Sequence, residues 1–174
     1  MGTTRTRAGS LYALEPMRLE DIPEVIAIEK ASFSNPWSHK VFEQEIKENP
    51  CSYPMVARTK STGEPSLAGY CVLWVMSEHL HIQNIAVAFD HQRRGLGRLL
   101  LMEAIELGRR AGVGKACLEV RMSNRAAQRL YLSLGFKQVE KRKGYYTRPS
   151  EDAILFEKEP LGARSPRVSK LANH

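Results

Sequence analysis

The segment Gln92-Arg93-Arg94-Gly95-Leu96-Gly97-Arg98 stands between a β-branched run and a long apolar-periodic stretch, so it reads as a turn from a strand into a helix. A helix start leaves several backbone N–H groups unpaired and its dipole favours negative charge, which makes the segment an anion site. Gly95 and Gly97 let the backbone come close to a pyrophosphate, and Arg93, Arg94 and Arg98 add positive charge around it. Neither common nucleotide loop fits. A Rossmann fingerprint needs a third glycine where Leu100 stands, and a P-loop needs Gly-Lys followed by Ser or Thr.

Two further groups could move protons. On the strand expected over Lys115 to Met122, alternation puts Leu118 and Val120 on one face and Cys117, Glu119 and Arg121 on the other. Glu119 is thus a carboxylate in mid-strand, where acidic residues are uncommon. It is either a general base or one half of an ion pair with Arg121 or another cation. Asn124 and Tyr131 lie seven residues apart on the next helix, two turns, and so share a face. A tyrosine at that spacing more often serves packing than chemistry. His79 and His81 share a strand face but have no third ligand at a recognisable spacing, so no metal is expected.

The elements that must position these groups follow from periodicity and breakers. A short strand near Tyr12 to Met17 precedes a helix with Ile22, Val25, Ile26 and Phe33 on one stripe, broken at Asn35-Pro36. Ser38 caps a second helix that stops at Asn49-Pro50. Strands are expected over Met55 to Arg58, Leu67 to Met76 and His81 to Ala88, and a long helix from Gly95 to Ala111 is closed by Gly112. After the Lys115 strand, Ser123 caps a helix through Leu134, ended by Gly135, and strands over Phe136 to Arg142 and Ala153 to Lys158 complete the chain. The order βααβββαβαββ describes a single α/β domain around one mixed, mostly antiparallel central sheet flanked by helices.

With Gln-x-x-Gly-x-Gly opening a helix, Leu118-Glu119-Val120-Arg121, Ser123-Asn124, Leu130-Tyr131 and Leu134-Gly135-Phe136, the chain resembles the GNAT acetyltransferases, and within them the ribosomal-protein-alanine N-acetyltransferases. The resemblance spans roughly Ala13 to Glu159. It implies a GNAT-type domain over 11–160 using acetyl-CoA as co-substrate, contacted by Ile85, Ala86 and Val87 of the preceding strand, by Arg93, Arg94, Gly95, Leu96, Gly97 and Arg98, and by Asn124 at the pantetheine arm. It makes Glu119 the base that removes a proton from the attacking amine, directly or through water, and Tyr131 the acid that protonates the leaving thiolate. Phe33-Ser34-Asn35-Pro36-Trp37 is similar to the aromatic loop walling the acceptor groove of protein N-terminal acetyltransferases, with Phe33, Pro36 and Trp37 as the wall. Tyr145 and Tyr146, after the penultimate strand, resemble the pair that binds the first peptide units. The implied acceptor is an N-terminal α-amine, of alanine or a similarly small residue, on a ribosomal protein. A lysine side chain or a small amine is the alternative.

Composition sets the remaining bounds. At 174 residues and 43% apolar, the chain suits one domain with one sizeable core. Neither a signal peptide nor an apolar run long enough to span a bilayer is present, and Cys51, Cys71 and Cys117 have no metal or disulfide spacing, so a soluble cytoplasmic protein is expected, with no membrane partner. The net charge of +7 is concentrated in residues 79–148, which sum to +9. That block suits the phosphates of a cofactor. It is the only support for a nucleic-acid module, and no interleaved aromatic and basic run accompanies it, so direct nucleic-acid binding is not expected. Residues 1–10 and 161–174 read as basic, flexible tails.

Overall fold

The apolar run Leu67–Val75 becomes the central strand of the meander and is buried along most of its length, which is why it reads as continuous hydrophobicity rather than alternation. The computed structural model describes residues 7–60, 63 and 66–162. Its elements are α1 (Arg7–Leu11), β1 (Tyr12–Pro16), α2 (Ile22–Ser32), α3 (His39–Lys47), β2 (Ser52–Thr59), β3 (Leu67–Val75), β4 (His79–Val87), α4 (Leu96–Ala111), β5 (Lys115–Arg121), α5 (Arg125–Ser133), β6 (Lys137–Thr147) and β7 (Ser150–Lys158). One seven-stranded sheet runs in the order β1-β2-β3-β4-β5-β7-β6, antiparallel throughout except for the parallel β4–β5 pair.

Two apolar clusters sandwich the sheet. Leu96, Leu100, Leu101 and Ala104 of α4 pack with Tyr131, Leu118, Val120 and Phe156 on one side, and Ile22, Val25 and Ile28 of α2 pack with Phe42, Val56 and Tyr70 on the other. Each fully buried leucine contributes about 1.5–3 kcal/mol by leaving water. The helix ends follow their local chemistry. Ser38 Oγ accepts from the Val41 amide at 3.4 Å, and Gly112 takes the left-handed conformation that closes α4.

Several boundaries differ from the sequence expectation. Ser123 does not cap α5. Asn124 does, its Oδ1 accepting from the Ala127 amide at 3.1 Å, while the Ser123 amide donates to Glu151 at 2.6 Å. Tyr145 and Tyr146 do not follow the penultimate strand but lie within β6, which continues through a bulge between Arg142 and Tyr146 where Gly144 has φ +61°. The packed unit also reaches beyond 11–160. Ala8 in the helical turn α1 is buried against the α4 cluster, and Leu161 is buried with its amide on the Gly114 carbonyl. A lone small or apolar side chain in a polar segment carries no periodicity, so sequence could not separate these two from the expected tails. The rest of those tails, 1–6 and 163–174, lies outside the described residues.

One close approach couples the sheet to the site. A Cβ at Gly69 of β3 would stand 2.8 Å from the Ala86 carbonyl oxygen of β4. Gly69→Ala is therefore expected to lower stability by about 1–3 kcal/mol through displacement of β4. Denaturant unfolding measures this directly, and an unchanged midpoint would mean that β4 yields freely.

Candidate active site

β4 and β5 pair only from His79↔Lys115 to His81↔Cys117, after which the two parallel strands part. A bulge against β3 leaves Gln83 unmatched at that point, because Val72 faces Asn84 and Leu73 faces Ile82. The bulge exchanges the two faces of β4: Leu80 and Ile82 belong to the α4-side core, whereas Ala86 belongs to the α2-side core. The gap between the parting strands opens into a cavity of about 800 Å³.

Residues distant in sequence meet on its walls. Glu119 and Tyr131 line it from β5 and α5, Tyr145 and Tyr146 from β6, and Phe33 and Trp37 from the α2–α3 connection. Ile85, Ala86, Val87, Gly97 and Asn124 line it as well. Pro36, Arg93, Arg94, Gly95, Leu96 and Arg98 do not. Leu96 turns its side chain into the core, and Arg98 Nη1 donates to Ser133 Oγ at 3.1 Å, while Pro36 is exposed. The arginine-rich turn runs in the chain between Val87 and Gly97, which do line the cavity. Arg93 and Gly95 both have positive φ, 61° and 83°, and Gly95 is the N-terminal cap of α4, so the unpaired amides of the first helical turn begin there.

Glu119 is held at both oxygens. His81 Nε2 lies 2.6 Å from Oε2, and Arg142 Nη1 donates to Oε1 at 2.5 Å. Burial raises the carboxyl pKa, but the hydrogen bond and charge of His81 and the charge of Arg142 outweigh it, leaving Glu119 below the ordinary carboxylate value. Arg121 is not its partner. That guanidinium donates to the Arg148 and Pro149 carbonyls and to Glu151, and stacks 4.1 Å from the Tyr146 ring, so it stiffens the β6–β7 hairpin. Burial pushes the Tyr131 phenol well up, and its ring packs 6.1 Å from Phe136 and 5.8 Å from Phe156. Burial, then the neighbouring Tyr145, pushes Tyr146 up to about 12, and burial raises Tyr145 too. Both phenols stay protonated at neutral pH.

Sequence reasoning missed His81 and Arg142 as partners of Glu119, and Glu29 as the residue that anchors the aromatic loop lining the cavity. Glu29 is 1% exposed. Its carboxylate accepts from the Trp37 amide at 2.7 Å, from Asn84 Nδ2 at 3.1 Å and from the Tyr70 hydroxyl. The available signal was an acidic residue on the apolar stripe of α2, three residues after Ile26 and four before Phe33. Across the mouth, Ser34 Oγ donates to the Arg148 carbonyl at 3.3 Å and ties the aromatic loop to the β6–β7 turn.

The model of the Acetyltransferase (GNAT) family matches residues 22–136. The chain belongs to the GNAT acetyltransferase family. Other likenesses agree. The chain is 35% identical over 147 residues to the Escherichia coli [ribosomal protein bS18]-alanine N-acetyltransferase, covering 83% of this chain and 95% of that one. A crystal structure of the ribosomal-protein-S18-alanine N-acetyltransferase from Escherichia coli superposes with a TM-score of 0.76 at 31% identity, over 92% of this chain and 100% of that one. Arabidopsis thaliana NAA60, solved in complex with acetyl-CoA, shares the fold at a TM-score of 0.75 and 17% identity, over 87% of this chain and 99% of that one. Among its described residues no group of three or more His, Cys, Asp or Glu could hold a metal, and no helix is long and apolar enough to cross a membrane.

Proposed function

We propose that this GNAT enzyme transfers the acetyl group of acetyl-CoA to the N-terminal α-amine of a protein, with an alanine or similarly small first residue, on a ribosomal protein. The observation that carries the reading is the convergence of Glu119, Tyr131, Tyr145 and Tyr146 on one cavity. Acetyl-CoA supplies an acyl thioester open to direct attack by an amine. The residues present fit it: the first turn of α4 offers unpaired amides beside Arg93, Arg94 and Arg98, and Gly97 lines the cavity without a side chain, where a Cβ would crowd Leu130 at 3.3 Å. The free edges of Ile85, Ala86 and Val87, where β4 has left β5, offer ladder partners to the pantetheine amides, and the Asn124 amide nitrogen remains beside them after Oδ1 has capped α5.

Glu119 takes the proton from the ammonium, so that the neutral amine then attacks the thioester carbonyl, and its lowered pKa keeps it ionised at neutral pH. Tyr131 gives its proton to the departing thiolate. Burial keeps the phenol protonated at neutral pH, and the same burial makes a thiolate more basic: Cys117, buried on β5, is pushed up to about 11. Tyr145 and Tyr146 hold the first peptide units, and Phe33 and Trp37 confine the first side chain. A basic ribosomal N-terminus implies a cytoplasmic setting, consistent with three free cysteines.

A peptide pair tests the reading. An Ala-started basic peptide with a free α-amine is expected to be acetylated rapidly, and the same peptide with that amine blocked and its lysines free is expected to react little. Mass spectrometry locates the added group. Equal labelling of both peptides would transfer the assignment to lysine or small amines.

A further inference from the structure

Gln83 lines the cavity at the bulge where β4 changes face, yet no step above uses it. Its Nε2 is buried and meets no acceptor among the described residues. The carboxylates that line the same cavity are already taken: Glu29 by Trp37, Tyr70 and Asn84, and Glu119 by His81 and Arg142. A buried donor left unpaired destabilises the fold, and an apolar side chain of the same size would avoid that loss. The donor is therefore matched to a group that enters the cavity.

The chemistry of that group follows from the amide and its position. A primary carboxamide offers one donor edge and one acceptor edge, the complement of a peptide unit. Its terminal torsion is broad, so the N–H can swing to the cavity surface at little cost. Gln83 reaches in from β4, whereas Tyr145 and Tyr146 reach in from β6, with β5 and β7 between them in the sheet. Gln83 lines the same cavity as Phe33 and Trp37, and its chain neighbour Asn84 is tied to Glu29 and through it to Trp37.

We infer that Gln83 is a specificity-determining residue for the acceptor, its Nε2–H donating to a backbone carbonyl in the first peptide units while the two tyrosines hold the chain from the other side. The inference rests on the N-terminal reading above. Gln83 then favours a polypeptide end over a simple amine, because only the former brings a carbonyl within reach.

The test uses the full chain with Gln83→Met and Gln83→Leu, an Ala-started peptide, and a small primary amine as a second acceptor. Loss of one hydrogen bond predicts a rise in peptide KM of roughly 3- to 10-fold, with kcat at saturating peptide and KM for acetyl-CoA little changed. The small amine should lose nothing, and the thermal midpoint should hold or rise as the unpaired donor is removed. A fall in kcat for both acceptors at constant KM would put Gln83 on the thioester carbonyl and overturn the inference. An unchanged peptide KM with a lowered midpoint would make it a packing residue and overturn it equally. If the wild type labels free and blocked peptides alike, the N-terminal reading fails by itself. If it discriminates but both variants match its peptide KM, only the role of Gln83 fails.

Discussion

Glu119→Gln is expected to lower kcat by roughly 10²-fold or more, the scale of a lost general base. The substitution is close to isosteric, and the amide oxygen can still accept from Arg142, while its nitrogen faces His81, whose ring can offer a lone pair in its other tautomer. The fold should therefore survive, and circular dichroism would confirm that the loss is chemical. An α-amine has a pKa of about 8, so raising the pH increases the neutral fraction and should partly rescue the variant. Wild-type Glu119 also contributes to stability with a definite sign. Because its folded pKa lies below the ordinary carboxylate value, that contribution is present above the ordinary value and is lost as pH falls through the lowered one. Glu119→Gln should flatten this acid limb of stability. Wild-type turnover at pH 7 in the variant would make Glu119 a structural partner of His81 and Arg142 and nothing more.

Tyr131→Phe is expected to cost roughly 10²-fold in kcat, again on the acid–base scale, with little loss of stability. The ring packs against Phe136 and Phe156, and those contacts do not involve the hydroxyl. The phenol is almost wholly buried, so its removal takes away a donor that burial keeps protonated. A substrate with a better thiol leaving group needs less help from an acid. An acyl thioester with a more acidic thiol should therefore narrow the gap between variant and wild type, and an equal gap would show that Tyr131 acts by shape. Equal turnover with acetyl-CoA itself would hand the proton transfer to water.

The sequence by itself determined the fold class and singled out the glycine–arginine turn before α4, Glu119 and Tyr131 as candidates. These signals are local: two glycines and three arginines before an amphipathic run, a carboxylate in mid-strand, and a tyrosine two turns from an asparagine. The resemblance they carry extends to the acetyltransferase fold, which the family match bears out. What tertiary structure alone decided is who meets whom. Glu119 stands 23 residues from Arg142 and 38 from His81, and nothing in their spacing chooses these over Arg121, which lies nearer but is drawn to the hairpin carbonyls. β6 reads poorly because both its faces are largely exposed, so it has no period-2 pattern, and its length is set by pairing with β7 through bulges. The cavity itself has no sequence signature. It exists because β4 and β5 keep only three paired positions before a bulge turns β4 over, and that divergence is a property of packed strands rather than of any residue run.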